Sequence, residues 1–426
     1  MKANRSWLWL ILPANIAAEG LHTVIPLFVI HLGGGISEVS VITATHYGAA
    51  ALGSIFWGKI LDRYHAKKAV LVSAFSVTLL CCVWLFFSTK IDPIYAIAPL
   101  SGFFLTARSQ VTQMMVMETS MNNEWSKLFA RTSILSTLGS LGAMLIGAVW
   151  SLYFDSRQYF VICAISTGVA LAISLRISKT HFHIERHAIA HSVHGIQHIF
   201  SHFRLQHHFV FPKIPTIHDY KHIFSILKGK VSHEIGFLFL ANLLFYFGSN
   251  IYFTALTPFY KSLHLSDATV FTLYLIQTGT MTGIFFVAPK IIAKLGEEKS
   301  TIFAYVPRIL GVLVAAFLIS LFAGYVLLAF AVLSMCLMVV GFSIFTTANS
   351  VLLFKTIPKG FEGTYLGVNS SMVGFGVFGG ALTAGLVTTT LNYTVTFATS
   401  AAILVGSVVL FRFYLRHRLS ETNITH

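Results

Sequence analysis

The sequence contains 426 residues, of which 55% are hydrophobic and only 10% are Asp, Glu, Lys or Arg. A soluble protein needs about 25% charged residues to cover its surface, so this composition excludes two or three soluble domains. The formal net charge is +14, and in so apolar a chain we attribute it to membrane topology and not to nucleic-acid binding.

Apolar stretches of about 20 residues, the length that crosses a bilayer as a helix, recur along the whole chain. In lipid, only helices and closed barrels satisfy their backbone polar groups, and these stretches lack the alternation of barrel strands. The sequence therefore predicts an all-α integral membrane protein with twelve transmembrane helices, at approximately 7–32, 37–60, 68–88, 93–117, 128–152, 157–178, 234–260, 267–291, 299–321, 324–350, 363–388 and 392–415.

The spans fall into two groups of six, because about 55 residues separate the sixth span from the seventh. We predict an N-terminal six-helix bundle over 1–178, a cytoplasmic His-rich linker over 179–233, a C-terminal six-helix bundle over 234–418 and a cytoplasmic tail over 419–426. Twenty-four of the 29 Lys and Arg residues fall on the side of the N-terminus. This asymmetry predicts that both termini are cytoplasmic, and we expect the plasma membrane as the location.

The first span contains an acid about halfway along its length. Glu19 is costly at that depth unless it faces a cavity or a partner. His22 lies three residues later, so both side chains can share a helix face, and histidine titrates near neutral pH. The pair is a candidate for proton coupling or substrate binding, and the alternative is a structural hydrogen-bonded pair at a helix contact.

A short charged stretch, Gly58 to Lys68, separates the second and third spans and reads as a turn. Its pattern, G-x-x-x-D-R-x-x-x-K-K, resembles the cytoplasmic loop between helices 2 and 3 of the major facilitator superfamily of secondary transporters. The resemblance implies two pseudo-symmetric six-helix bundles that work by alternating access. It also implies a conformational gate, whose residues are Gly58, Asp62, Arg63, Lys67 and Lys68. The alternative is an ordinary basic loop on the cytoplasmic side.

The fourth span contains Arg108, which at this depth needs an anionic partner or a water-filled cavity. Gln110 and Gln113 extend the polar side of this span. Many members of the resembled superfamily carry an arginine in span four that is linked to proton coupling, although the glycine that usually follows it is missing here. Glu19 is the natural counter-ion. The alternative is a structural arginine whose side chain reaches the cytoplasmic interface.

Small residues cluster in the fifth span, from Ser136 to Gly147, and glycines recur in the eleventh, from Gly374 to Gly385. Such residues let helices approach closely. Drug–proton antiporters of the resembled superfamily usually have a glycine-rich motif with a proline in span five, and that proline is absent here.

The second half of the chain is poorer in charge. Asn242, Tyr246 and Asn250 have i, i+4, i+8 spacing and are predicted to line one wall of a cavity. Gln277 and Asn369 are further candidates for substrate contact, and helix-to-helix hydrogen bonding is the alternative for each. We interpret Pro307 and Arg308 in span nine as a kink and an interface anchor.

The linker contains twelve of the nineteen histidines. Five of them fall at helical spacings and form the polar face of a predicted amphipathic helix on the inner membrane surface. They are His187, His191, His194, His198 and His202. Three interpretations stay open: a plain surface linker, a pH-responsive element, or metal binding through imidazole pairs.

No phosphate-binding loop or catalytic motif appears in the sequence, so we expect no cofactor, no enzyme activity and no ATP hydrolysis. We expect a monomer in the bilayer that moves a small organic solute with the proton gradient as energy source. Efflux is favoured over uptake, because the intact loop motif is frequent among exporters. Two alternatives are a transition-metal ion transporter with a His-rich sensing linker and a non-transporting membrane sensor of the same fold.

Overall fold

The computed structural model of the protein describes residues 6–64, 66–119, 125–177, 233–317, 319–356 and 362–424. Within these ranges the chain forms twelve α-helices and no strand. They are α1 (Ile11–His31), α2 (Ile36–Tyr64), α3 (Lys67–Phe87), α4 (Asp92–Thr119), α5 (Trp125–Trp150), α6 (Tyr159–Arg176), α7 (His233–Ser262), α8 (Asp267–Leu295), α9 (Glu297–Phe317), α10 (Gly324–Thr356), α11 (Glu362–Thr390) and α12 (Tyr393–Ile424).

The predicted all-α membrane fold with twelve spans is confirmed, since each span corresponds to one helix. Eleven of the described helices are long and apolar enough to cross a membrane. The exception is α4, where the polar stretch around Arg108 interrupts the apolar sequence. A helix this polar is stable in the bundle because the neighbouring helices and a cavity, not lipid, surround its polar side chains.

The helices α1–α6 and α7–α12 form two halves with the same internal packing. In the first half α1 packs on α5 and α6, α2 on α4, and α3 on α4 and α6. In the second half α7 packs on α11 and α12, α8 on α10, and α9 on α10 and α12. Adding six to each helix number converts one pattern into the other, so the halves are related by pseudo-symmetry.

The two halves meet mainly through α2 with α11 and α5 with α8. We call the end of the bundle where α6 ends and α7 begins the linker end, and the opposite end the far end. Small residues allow close approach near the far end: a Cβ added to Gly385 of α11 would lie 2.6 Å from Cβ of Ser40 in α2, and one added to Gly147 of α5 would overlap the Phe271 ring of α8. Phe271 also contacts Tyr159 of α6, with ring centroids 5.3 Å apart.

Polar contacts reinforce the closure at the far end. Asp267 at the start of α8 accepts a hydrogen bond from Lys261 at 2.8 Å. The Asp267 carboxylate also lies 3.8 Å from Nδ1 of His31 at the end of α1. Nδ1 of His31 is in turn 2.6 Å from the Ser156 hydroxyl. This cluster therefore joins the first half to the second at the far end.

The turn predicted between the second and third spans is wrong for most of its length. The stretch from Gly58 to Tyr64 continues α2 and α3 begins at Lys67, so the turn is confined to two residues. The basic segment between the eighth and ninth spans is also mostly helical, because α8 runs through Pro289 and ends at Leu295 before Gly296, which has a φ of 79°. The last helix, α12, continues into the predicted tail as far as Ile424. In each case helical hydrogen bonding extends past the apolar boundary.

Arg308 is a buried core residue of the second half, which corrects its interpretation as an interface anchor. Its side chain is 0% exposed. Nε donates to the Ser249 hydroxyl at 2.8 Å and Nη1 donates to the Met338 carbonyl at 2.6 Å. The guanidinium lies over the rings of Phe245 and Phe342, at 4.7 and 5.2 Å from their centroids. Hydrogen bonds and cation–π contacts thus replace the water that an anchor residue would retain.

Gly147→Ala is predicted to separate α5 from α8 at the far end, since the added methyl group overlaps Phe271. Distances between spin labels at Leu152 and Ser262, measured by double electron–electron resonance, should shift to longer values. Gly279→Ala is the matched control on the α8 side of the same interface, because its Cβ would lie 4.0 Å from Leu141. Equal distance distributions for Gly147→Ala and Gly279→Ala would contradict the close packing described for Phe271.

Candidate functional site

A central cavity of about 650 Å³, counted with its open mouth, lies between the two halves. It is lined by residues of α1, α2, α4, α7 and α8. Among the described residues of its lining there is no Asp, Glu, Lys or Arg. The polar side chains that line it are His22, Thr43, His46, Tyr47, Asn250, Thr254, Thr257 and Tyr274.

Two histidines and a tyrosine form a cluster on the α1–α2 wall of the central cavity. Nε2 of His22 is hydrogen-bonded to the Tyr47 hydroxyl. The imidazole of His46 packs edge-on to Tyr47, with ring centroids 5.4 Å apart. Nδ1 of His46 donates to the Ala98 carbonyl of α4 at 3.0 Å, because a carbonyl oxygen only accepts. The cluster offers two titratable rings that are linked through one phenol.

The opposite wall of the central cavity consists of α7 and α8. Asn250 is fixed by a 2.7 Å hydrogen bond from Nδ2 to the Val377 carbonyl of α11. The hydroxyls of Thr257 and Tyr274 are 3.0 Å apart. The Phe253 ring completes this wall. A neutral hydrogen-bonding wall with aromatic faces therefore faces the imidazole cluster.

A second and larger cavity, of about 1790 Å³ when counted with its open mouth, opens toward the linker end. It is lined by α1, α4, α5, α8 and α10, and its lining is rich in hydroxyl groups. Arg108 is the charged residue of that lining, within the described part of the chain. The shape of the interior is thus asymmetric, with close contact between halves at the far end and a wide opening at the linker end.

Glu19 lies between the two cavities and lines neither. Its carboxyl group interacts electrostatically with the Arg108 guanidinium and with the Tyr47 phenol. No direct ion pair joins Glu19 to Arg108 among the described residues, and Nη1 of Arg108 is buried there without a hydrogen-bond partner. Glu19 therefore connects the charged cavity with the imidazole cluster. His22 faces the central cavity and bonds to Tyr47, so the predicted pairing of Glu19 with His22 is replaced by this wider network.

The other side chains that were predicted to contact the substrate do not share one wall of a cavity. Asn250 lines the central cavity, whereas Asn242 is fully buried and donates to Asn369 Oδ1 at 2.9 Å. Tyr246 packs edge-on against Phe342. These contacts match helix-to-helix bonding for Asn242 and Asn369. Gln277 and Gln110 are partly buried and line neither cavity, and the side chain of Gln113 lies outside the described residues.

The predicted gate is described only in part. The side chains of Asp62 and Arg63 lie outside the described residues, as do the linker histidines His187, His191, His194, His198 and His202. Among the described residues, a Cβ on Gly58 would meet nothing within 4 Å. Lys68 donates to the Leu175 carbonyl at 2.5 Å and so joins α3 to α6 within one half. In the described ranges no three His, Cys, Asp or Glu residues are grouped as metal ligands.

Sequence reasoning missed several residues of the central cavity. His46 and Tyr47 lie in the middle of an apolar span, so the rule that singled out Glu19 applies to them as well. Thr254, Thr257 and Tyr274 gave no comparable signal, because hydroxyl residues are common in membrane helices and usually bond to their own backbone.

The sequence model of the Major Facilitator Superfamily matches residues 3–373. The chain belongs to the major facilitator superfamily. This membership agrees with the twelve helices, the repeated packing pattern and the interior cavities between two halves. It identifies the protein as a multi-pass integral membrane transporter and not an enzyme.

Solved structures of other transporters share the fold of this superfamily member. The nucleoside transporter NupG has a TM-score of 0.73 at 14% identity, covering 97% of this chain and 99% of its own. The D-xylose-proton symporter has a TM-score of 0.72 at 14% identity, covering 95% of each chain. A peptide transporter POT in complex with sulfate has a TM-score of 0.70 at 13% identity, covering 96% and 93%. No curated protein matched the sequence.

Tyr47→Phe is predicted to slow solute transport about tenfold, because it removes the hydroxyl bonded to His22 and one hydrogen bond corresponds to roughly that factor. Initial rates in proteoliposomes measure the effect. Tyr325→Phe is the control, since Tyr325 is 92% exposed and lines neither cavity. If Tyr47→Phe and Tyr325→Phe transport equally well, the cluster has no part in transport.

Proposed function

We propose that this transporter moves a small organic solute by alternating access and couples the movement to protons. The observation that carries the proposal is Glu19, a carboxyl group in the middle of α1 within electrostatic range of Arg108 and beside the His22–Tyr47–His46 cluster. An isolated carboxylate inside a membrane protein is costly, and protonation removes that cost. The structural relatives named above carry a nucleoside, D-xylose with a proton, and peptides, which supports a small organic solute as the class.

The two halves supply the conformational change. The contacts at the far end, through Phe271, Gly385 and the Asp267 cluster, close one side while the large cavity opens the other. Alternating access then requires these contacts to break as the linker end closes. The solute enters from the linker end in the described conformation and reaches the central cavity, where the imidazole cluster and the α7–α8 wall contact it.

The excess of Lys and Arg on the linker side supports a cytoplasmic linker end by the positive-inside rule. With that orientation the described conformation is open to the cytoplasm. We propose the plasma membrane as the location and a monomer as the working unit. The G-x-x-x-D-R-x-x-x-K-K motif is frequent among exporters, and the gradient experiment below decides between export and uptake.

Glu19→Gln is predicted to abolish proton-coupled transport, because the amide is isosteric but does not take up a proton at neutral pH. The purified full chain would be reconstituted in liposomes with an internal pH dye. A proton gradient of either sign would be imposed while a panel of small solutes is added. Substrate-dependent proton movement in the wild type should fall at least tenfold in Glu19→Gln.

Glu38→Gln is the control for this experiment. Glu38 lies near the start of α2, where its carboxylate accepts a 2.7 Å hydrogen bond from the Gly35 amide, and it lines neither cavity. Unchanged coupling in Glu19→Gln would remove Glu19 from the mechanism and refute the proposal as stated. The sign of the gradient that drives accumulation distinguishes export from uptake.

A further inference from the structure

Arg108 lines the large cavity at the linker end and also carries an unsatisfied donor. The residue belongs to the lining of that cavity, and its Nη1 is buried without a hydrogen-bond partner among the described residues. Leaving a buried charged donor unpaired is unfavourable, since the group gives up water and gains nothing in return. An arginine in this situation is prepared to receive an acceptor from a bound molecule.

The cavity around Arg108 has a lining that suits an anion. It contains no carboxylate within the described part of the chain. Residues with hydroxyl and amide groups line the same cavity as Arg108, among them Ser109, Thr112 and Asn15. Hydroxyl protons rotate to suit an acceptor, so such a lining stabilises negative charge without competing for Arg108.

The net charge of the bundle interior also favours a bound anion. More than five residues from either end of the predicted spans, the sequence contains one carboxyl group, that of Glu19, and two guanidinium groups, those of Arg108 and Arg308. The described partners of Arg308 are a hydroxyl, a carbonyl and aromatic rings, none of them acidic. The interior therefore has an excess of positive charge, which grows when Glu19 is protonated. A bound anion offsets this excess.

We propose that the transported solute is a small organic anion whose carboxylate or phosphate group binds Arg108 in the cavity at the linker end. The proposal rests on the proposed function and specifies its substrate class. The guanidinium fork suits both groups, because each offers two oxygens for paired N–H···O bonds. Binding of the anion replaces the charge compensation that Glu19 gives to Arg108. Anion binding at Arg108 and proton binding at Glu19 therefore favour each other.

The test compares charged solutes with uncharged partners of nearly the same shape. Radiolabelled nicotinate and nicotinamide, benzoate and benzamide, and glycerol 3-phosphate and glycerol would be supplied to proteoliposomes of the full chain. Rates in protein-free liposomes would be subtracted. At least one charged member should be transported about tenfold faster than its partner. The first two pairs test a carboxylate and the third tests a phosphate.

Variants of Arg108 link the preference to the site. Arg108→Gln should abolish the preference for the charged member, and Arg108→Lys should retain part of it, since lysine keeps the charge but not the fork. Arg131→Gln is the matched control, because Arg131 is an exposed arginine in the same half that lines neither cavity. Equal size-exclusion profiles and thermal midpoints of Arg108→Lys and wild type would exclude misfolding as the cause.

The outcomes separate this inference from the proposed function. If no charged member is transported faster than its uncharged partner, or if Arg108→Gln keeps the preference, the anion site is refuted. Uncharged members that move with Glu19-dependent proton flux would leave proton coupling standing while refuting the anion site. Charged members that move at equal rates in wild type and Glu19→Gln would support the anion site and refute proton coupling.

Discussion

The organisation of this transporter depends on the interaction between Glu19 and Arg108 in a medium of low dielectric constant. Neither charge is stable alone among apolar helices, and the opposite charge on α1 or α4 compensates it. The two groups are close enough to interact but make no direct ion pair, so Arg108 keeps a free donor. A fully satisfied pair would be a structural element, whereas the unsatisfied donor of Arg108 supports the proton and ligand sites proposed above.

The packing between the two halves closes the far end of the bundle and leaves the linker end open. At the far end, Gly147 lets α5 approach α8, and Gly385 lets α11 approach α2. The ion pairs of the Asp267 cluster stabilise the same end. Toward the linker end, α5 and α8 both line the large cavity. Packed interfaces of this kind have discrete arrangements and do not deform continuously, which is the requirement for alternating access.

Much of the fold could be predicted from the sequence, because membrane helices follow from the length of apolar stretches. The predicted start of the eighth span at residue 267 is also the first residue of α8, and most other boundaries agree within a few residues. The connections were predicted less well. The pattern from Gly58 to Lys68 reads as a turn by composition, yet helical hydrogen bonds continue to Tyr64. Charged residues at a membrane surface are as compatible with a helix end as with a loop.

The candidate site could be proposed from the sequence only in part, and for a different physical reason. Glu19 and Arg108 were chosen as candidates because charges inside spans are costly, and the predicted electrostatic interaction between them is present in the structure. Arg308 was misread because a one-dimensional pattern does not reveal that Phe245 and Phe342 enclose its guanidinium. The walls of the central cavity depend on how α7 and α8 of one half face α1 and α2 of the other. Such long-range contacts leave little trace in local spacing.

A double-mutant cycle on Glu19 and Arg108 tests the central claim most directly. The free energy of unfolding in detergent would be measured for wild type, Glu19→Gln, Arg108→Gln and the double variant. If the two charges compensate each other, each single variant leaves the other charge without compensation, and the double variant should be more stable than the sum of the single effects by about 0.5–3 kcal/mol. Additive effects, with no coupling energy between the two positions, would contradict the account.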